Sequence, residues 1–88
     1  MSKSIIIQVL VTNHCLACLK VLHRLHQVRN GLPELQVDII NLDERPIIPE
    51  GLNVTIVPAT YVNGRLFAYG DFAPSDFMDF YIKKIANS

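Results

Sequence analysis

The stretch "IIIQVLV", Ile5 to Val11, is apolar at every position but Gln8 and rich in β-branched residues. It does not alternate as a half-exposed strand does, and it is far short of the ~20 residues that span a bilayer. It predicts a strand covered on both faces, at the centre of a sheet. A helical pattern follows from about Cys15 to Asn30, with Leu19, Leu22, Leu25 and Val28 as its apolar stripe and Lys20, Arg24 and Gln27 elsewhere. Asn30-Gly31 and then Pro33 are a helix stop. Leu35 to Leu42 reads as a second strand. Two strands joined by one helix imply a right-handed parallel crossover.

The second half of the chain reads differently. "DERPIIPEGLN" carries two prolines and a glycine, which permits a loop or a short helix. Ala59–Val62 and Leu66–Tyr69 flank Asn63-Gly64, the strongest short hairpin signal. Pro74 and Asp76 then open a last helix, the proline suiting the first turn and the carboxylate its positive end. Phe77, Phe80, Tyr81, Lys84 and Ile85 follow at helical spacing. The expected fold is a single α/β domain spanning residues 1–88. It has a four-stranded mixed sheet, a parallel βαβ unit plus an antiparallel hairpin, flanked by helices.

At 88 residues the chain makes one domain, whose core must be compact and well patterned. Half of its residues are hydrophobic and 18% are charged, which argues against disorder. A formal net charge of zero offers no electrostatic footprint for nucleic acid or an anionic membrane. Lys3 before the apolar run faintly resembles a signal peptide. Gln8 interrupts that run, however, and no small-x-small cleavage site precedes the cysteines. The expectation is a cytoplasmic, monomeric protein. The Asn53-Val54-Thr55 sequon is then a chance match.

Cys15 and Cys18 are the only cysteines, spaced Cys-Leu-Ala-Cys where the first strand gives way to the helix. In the cytosol such a pair is redox-active or metal-binding more often than structural. A helix N-terminus favours the thiolate, which is the nucleophile of disulfide exchange. Cys15 is therefore placed to attack a disulfide, and Cys18, one turn on and more buried, to resolve the mixed disulfide. The bland alternative is two inert cysteines. His14 stands beside Cys15, where a protonated imidazole would stabilise the thiolate; the alternative is a solvated loop histidine. His23 and His26 read as surface residues. A tetrahedral zinc site needs four ligands, and His14, Cys15 and Cys18 supply three, so no metal and no cofactor are assigned.

A strand, a CxxC at a helix start, "VP" ahead of a "YVNGR" hairpin, a glycine at Gly70 and a closing helix together resemble the thioredoxin and glutaredoxin pattern over nearly the whole chain. The segment "VPATYVNGRLFAYGDFAPSDF" looks more like thioredoxin, and the short length more like glutaredoxin. The resemblance implies that Cys15 is the nucleophile and Cys18 the resolving thiol. It implies a cis Val57–Pro58 bond packed against the dithiol, with Val57 offering backbone hydrogen bonds to an extended substrate. It also implies protein disulfides as substrates, with a thioredoxin reductase or glutathione as electron donor. The chain departs from the pattern in several places. The motif has neither Gly-Pro nor Pro-Tyr between its cysteines, no tryptophan precedes it, and "YGDF" is an incomplete glutathione-binding pattern. Val9 stands six residues before Cys15, where thioredoxins carry a buried aspartate. Two other readings stay open: a thioredoxin-fold binding module with little turnover, and a glutaredoxin-type glutathione or iron–sulfur protein.

Overall fold

The computed structural model describes residues 5–52 and 56–86. Its elements are β1 (Ile5–Val11), α1 (Leu16–Gly31), β2 (Leu35–Asn41), β3 (Ala59–Val62), β4 (Arg65–Tyr69) and α2 (Pro74–Phe80), continued by a π-helical segment, Tyr81–Ala86. The sheet order is β2-β1-β3-β4. The apolar strand β1 is therefore central, paired parallel with β2 from Ile5↔Leu35 to Val11↔Asn41 and antiparallel with β3 from Ile7↔Val62 to Leu10↔Ala59. The sequon at residues 53–55 lies outside the described residues.

The two faces of β1 are covered differently. Ile5, Ile7, Val9 and Val11 pack with Cys18, Val21, Leu25 and Val28 of α1, with Phe72, and with Phe77 of α2 in the main core cluster. Both helices thus serve one face of the sheet. On the other face Leu10, Ile40, Ala59 and Tyr61 form a smaller cluster, completed by Leu42 and Leu52 from the β2–β3 connection. That connection has no helix among its described residues. Pro46 and Pro49 deny it the backbone hydrogen bonds a helix needs. Ile6, expected to be buried in a doubly covered strand, is consequently 46% exposed.

The stripe of α1 differs from the expected one. Its buried line is Cys18, Val21, Leu25 and Val28, while Leu22 is partly buried and Leu19 is 64% exposed. The rotation that turns Cys18 and Val21 inward carries Leu19 about 100° away, since 3.6 residues make a turn. The helix runs one residue beyond the expected end. Gly31 is its last residue rather than a left-handed cap, and the Leu32 N–H closes it on the Val28 and Arg29 carbonyls at 3.2 Å each.

The hairpin forms as its residues dictate. Asn63 and Gly64 have φ of 50° and 82°, the left-handed pair of a two-residue turn between twisted strands. The Asn63 side chain accepts the Ile6 N–H at 2.9 Å, and its own N–H donates to the Ile6 carbonyl at 2.9 Å. Opposite the turn, Thr60 faces Ala68 while Tyr61 faces Leu66, which leaves Phe67 as an extra residue on β4. This bulge sets Phe67 among Phe72, Phe77 and Phe80, with ring centroids 4.8, 5.5 and 5.1 Å away. Helix α2 starts at Pro74, and the Asp76 carboxylate accepts the Ala73 N–H at 3.4 Å. The regular helix ends at Phe80, so the expected α-helical spacing does not persist through Tyr81 and Lys84.

Candidate active site

The dithiol sits where β1 ends and α1 begins, at the C-terminal end of the parallel strand pair. Cys15 and Cys18 are joined as a disulfide, with Cα atoms 5.2 Å apart. Cys15 is the N-cap of α1, and its Sγ accepts the Cys18 N–H at 3.1 Å. Serine, threonine or aspartate oxygen does this work at most helix starts. Here a sulfur does it, so the Cys18 N–H of the first turn and the positive end of the helix face Cys15 Sγ. No acidic residue stands in that first turn to oppose it. Cys15 is partly exposed and Cys18 is 2% exposed, the order of accessibility expected from the sequence.

Val57–Pro58 is a cis peptide bond. Pro58 is buried, Val57 is partly buried, and the Pro58 carbonyl accepts the Gly70 N–H at 2.8 Å. Because β3 runs antiparallel to β1 with Ala59 opposite Leu10, Pro58 stands at the same end of the sheet as the dithiol. His14 is exposed and has φ of 56°, in the left-handed region that costs a residue with a β-carbon about 1–2 kcal/mol. His23 and His26 are exposed on α1, as expected.

Two sets of residues escaped the sequence reading. Asn13, Asn41 and Asp43 tie the loop ahead of the dithiol to the end of β2. The Asp43 carboxylate accepts the Asn13 N–H at 2.6 Å, and the Asn41 amide donates to Asn13 Oδ1 at 2.9 Å. Asn41 Oδ1 in turn accepts the Asp43 N–H at 2.9 Å. Polar residues just past two strand ends were the available signal. The second set is apolar. Leu16 and Leu19 are 70% and 64% exposed beside the dithiol, and Ile39 on edge strand β2 is 48% exposed. With Leu22 and Asn41 they border an open groove of about 540 Å³ that includes Cys15 and Cys18. Nothing local in the sequence separated Leu16 and Leu19 from the apolar residues that α1 buries.

Among the described residues no three His, Cys, Asp or Glu side chains converge as a metal site would require. No described helix is long and apolar enough to cross a membrane.

A parallel βαβ unit, an antiparallel hairpin entered through a cis-proline, and a CxxC disulfide capping the first helix define a small thioredoxin-like redox protein. The thioredoxin domain family matches residues 5–83, and the chain belongs to that family. Its fold is similar to that of chloroplastic thioredoxin z, at 18% identity and a TM-score of 0.78, covering 97% of this chain and 80% of that one. It is also similar to thioredoxin-2 of the malaria parasite, described as a component of its protein secretion machinery, at 15% identity and a TM-score of 0.77, covering 94% and 85% of the two chains. A further malarial protein matches at 15% identity and a TM-score of 0.77, over 94% of this chain and 99% of that one. No curated protein sequence matches the chain. Family membership and the Cys15–Cys18 disulfide together give the protein a thiol–disulfide redox role.

Proposed function

We propose that the chain reduces disulfides in protein substrates, with Cys15 as the attacking sulfur and Cys18 as the resolving one. The observation that carries this is the hydrogen bond from the Cys18 N–H to Cys15 Sγ at the N-terminus of α1. In the reduced protein that donor and the helix dipole favour a thiolate at Cys15. The thiolate attacks one sulfur of the substrate disulfide. A Cys15–substrate disulfide forms, and the other substrate sulfur leaves and takes up a proton. Cys18 then attacks Cys15 Sγ, closing the Cys15–Cys18 disulfide and releasing the second substrate thiol. The protein loses two electrons and the substrate gains them, so a two-electron donor, a thioredoxin reductase or two molecules of glutathione, must reopen the disulfide after each turnover.

Val57 and Pro58 supply the substrate edge in this reading. The backbone of residue 57 ends the chain segment entering β3, and an extended substrate pairs with it by strand addition. Leu16, Leu19 and Ile39 give the groove an apolar rim suited to an unfolded or extended protein segment. His14 next to Cys15 is the adjacent tuning group. The test is insulin reduction driven by dithiothreitol. Wild type should accelerate it and Cys15→Ser should not. A wild-type protein no better than the variant would leave a binding module with an idle dithiol.

A further inference from the structure

Among the described residues, one buried side-chain oxygen has no hydrogen-bond partner: Thr60 Oγ1, on a residue that is 0% exposed. Such a group destabilises a fold, and valine would fill the same space without that penalty. The place of Thr60 in the sheet suggests why a hydroxyl stands there. Thr60 is paired with Val9 across the β1–β3 ladder. Directly opposite residues of an antiparallel pair share a face, with β-carbons about 4.5–5.5 Å apart. Val9 belongs to the core cluster that also holds Cys18, and so does Val62, two residues along β3 on the same face as Thr60. The orphan hydroxyl therefore belongs to the layer of the core into which Cys18 is packed.

The structure describes the oxidised protein, in which Cys18 Sγ is bonded to Cys15. A disulfide sulfur is a weak acceptor, and in this state Thr60 Oγ1 makes no hydrogen bond to either sulfur; opening the disulfide frees Cys18 Sγ to turn toward it. A thiolate is a strong acceptor. We propose that Thr60 takes part in the resolving step: its hydroxyl donates a hydrogen bond to the Cys18 thiolate when the disulfide is open. This rests on the exchange reading above. In the step itself Cys18 loses its proton, its thiolate attacks Cys15 Sγ, and the Cys15–substrate sulfur bond breaks. In the overall balance the proton ends on the departing substrate thiolate. Burial opposes a charged Cys18. With valine at position 9, Thr60 is the polar group that the sheet register brings to this layer.

The experiment loads Cys15 with thionitrobenzoate and follows its release by stopped flow across a pH range, with urea denaturation run alongside. Thr60→Val should remain folded, because it removes an unpaired buried hydroxyl at nearly constant shape. Its pH–rate midpoint should rise by about one unit, which slows release roughly tenfold at neutral pH. Thr60→Ser should stay close to wild type, and Thr60→Ala should behave like Thr60→Val. The serine and alanine variants lose the same methyl group and differ only in the hydroxyl, so packing damage alone would affect them alike. Unchanged pH profiles in the folded valine and alanine variants would overturn the assignment while leaving exchange intact. A wild-type protein that holds its thionitrobenzoate indefinitely would instead overturn the exchange reading, and the role of Thr60 with it.

Discussion

Val9→Asp restores a carboxyl at the position where the resemblance to thioredoxin expects one, and its cost and benefit both follow from the structure. Val9 is 0% exposed and lies in the cluster that contains Cys18. Losing a fully buried valine side chain costs about 1.5–2 kcal/mol. Burying a neutral carboxyl in its place costs roughly 1–3 kcal/mol. Thr60 stands directly opposite with an unpartnered hydroxyl, so one hydrogen bond, worth about 1 kcal/mol, is recovered. The net loss is about 1.5–4 kcal/mol, against a total stability of roughly 4–13 kcal/mol for a chain of this length. The variant should therefore fold, with a lower denaturation midpoint.

The loss should depend on pH in a definite direction. Burial raises the new carboxyl above the unfolded value of about 3.9. The unfolded chain then releases this proton first, so the variant loses stability relative to wild type as pH rises from about 4 to the folded pKa. The penalty is smallest in acid. In exchange, the carboxylate can accept the Cys18 proton, and general-base assistance of this kind is worth about 10²-fold or more when well placed. Urea titrations at several pH values measure the first effect. Stopped-flow release of thionitrobenzoate from Cys15 measures the second, where at least a roughly tenfold gain at neutral pH is expected. A folded variant that resolves no faster than wild type would show that the missing carboxylate does not limit this site.

Three further outcomes are expected. In the reduced protein iodoacetamide should alkylate Cys15 ahead of Cys18, and at lower pH, because Cys15 is the more exposed and caps α1; mass spectrometry of quenched samples reads the order. Gly64→Ala places a β-carbon at φ of 82° in the hairpin turn and should cost about 1–2 kcal/mol, or roughly 5–15 °C in Tm by calorimetry. Phe77→Ala empties a fully buried position between Phe67, Phe72 and Tyr81 and should cost about 3–5 kcal/mol, measured by urea denaturation.

Several features of the protein were decided locally and were therefore legible in the sequence. A run that is apolar at every position but one requires cover, so "IIIQVLV" became the central strand. Asn-Gly tolerates positive φ at both positions, so the hairpin turn falls at Asn63-Gly64. Helix onset after a strand places the residue at the junction on the backbone donors of the first turn, and this made Cys15 recognisable as the sulfur at the helix start, where the structure has it as the N-cap of α1. Pro58 ahead of an apolar strand, read with the family pattern, pointed to the cis bond that the structure contains.

Other features depend on residues far apart in the chain, and only the tertiary structure decided them. The rotation of α1 is set by the packing of Val21 and Leu25 against the sheet, which leaves Leu19 at the surface beside the dithiol. Leu19 and Val21 are equally apolar, and nothing local distinguishes them. Asp43 reaches Asn13 only because the parallel pairing of β1 and β2 brings two strand ends together across thirty residues. The hydroxyl of Thr60 looks ordinary in "VPATYV", since threonine is a favoured strand residue. It becomes notable only when the β1–β3 register sets it opposite Val9 in the core that holds Cys18. Burial and pairing are properties of the assembled sheet, and they determine which polar atom is left without a partner.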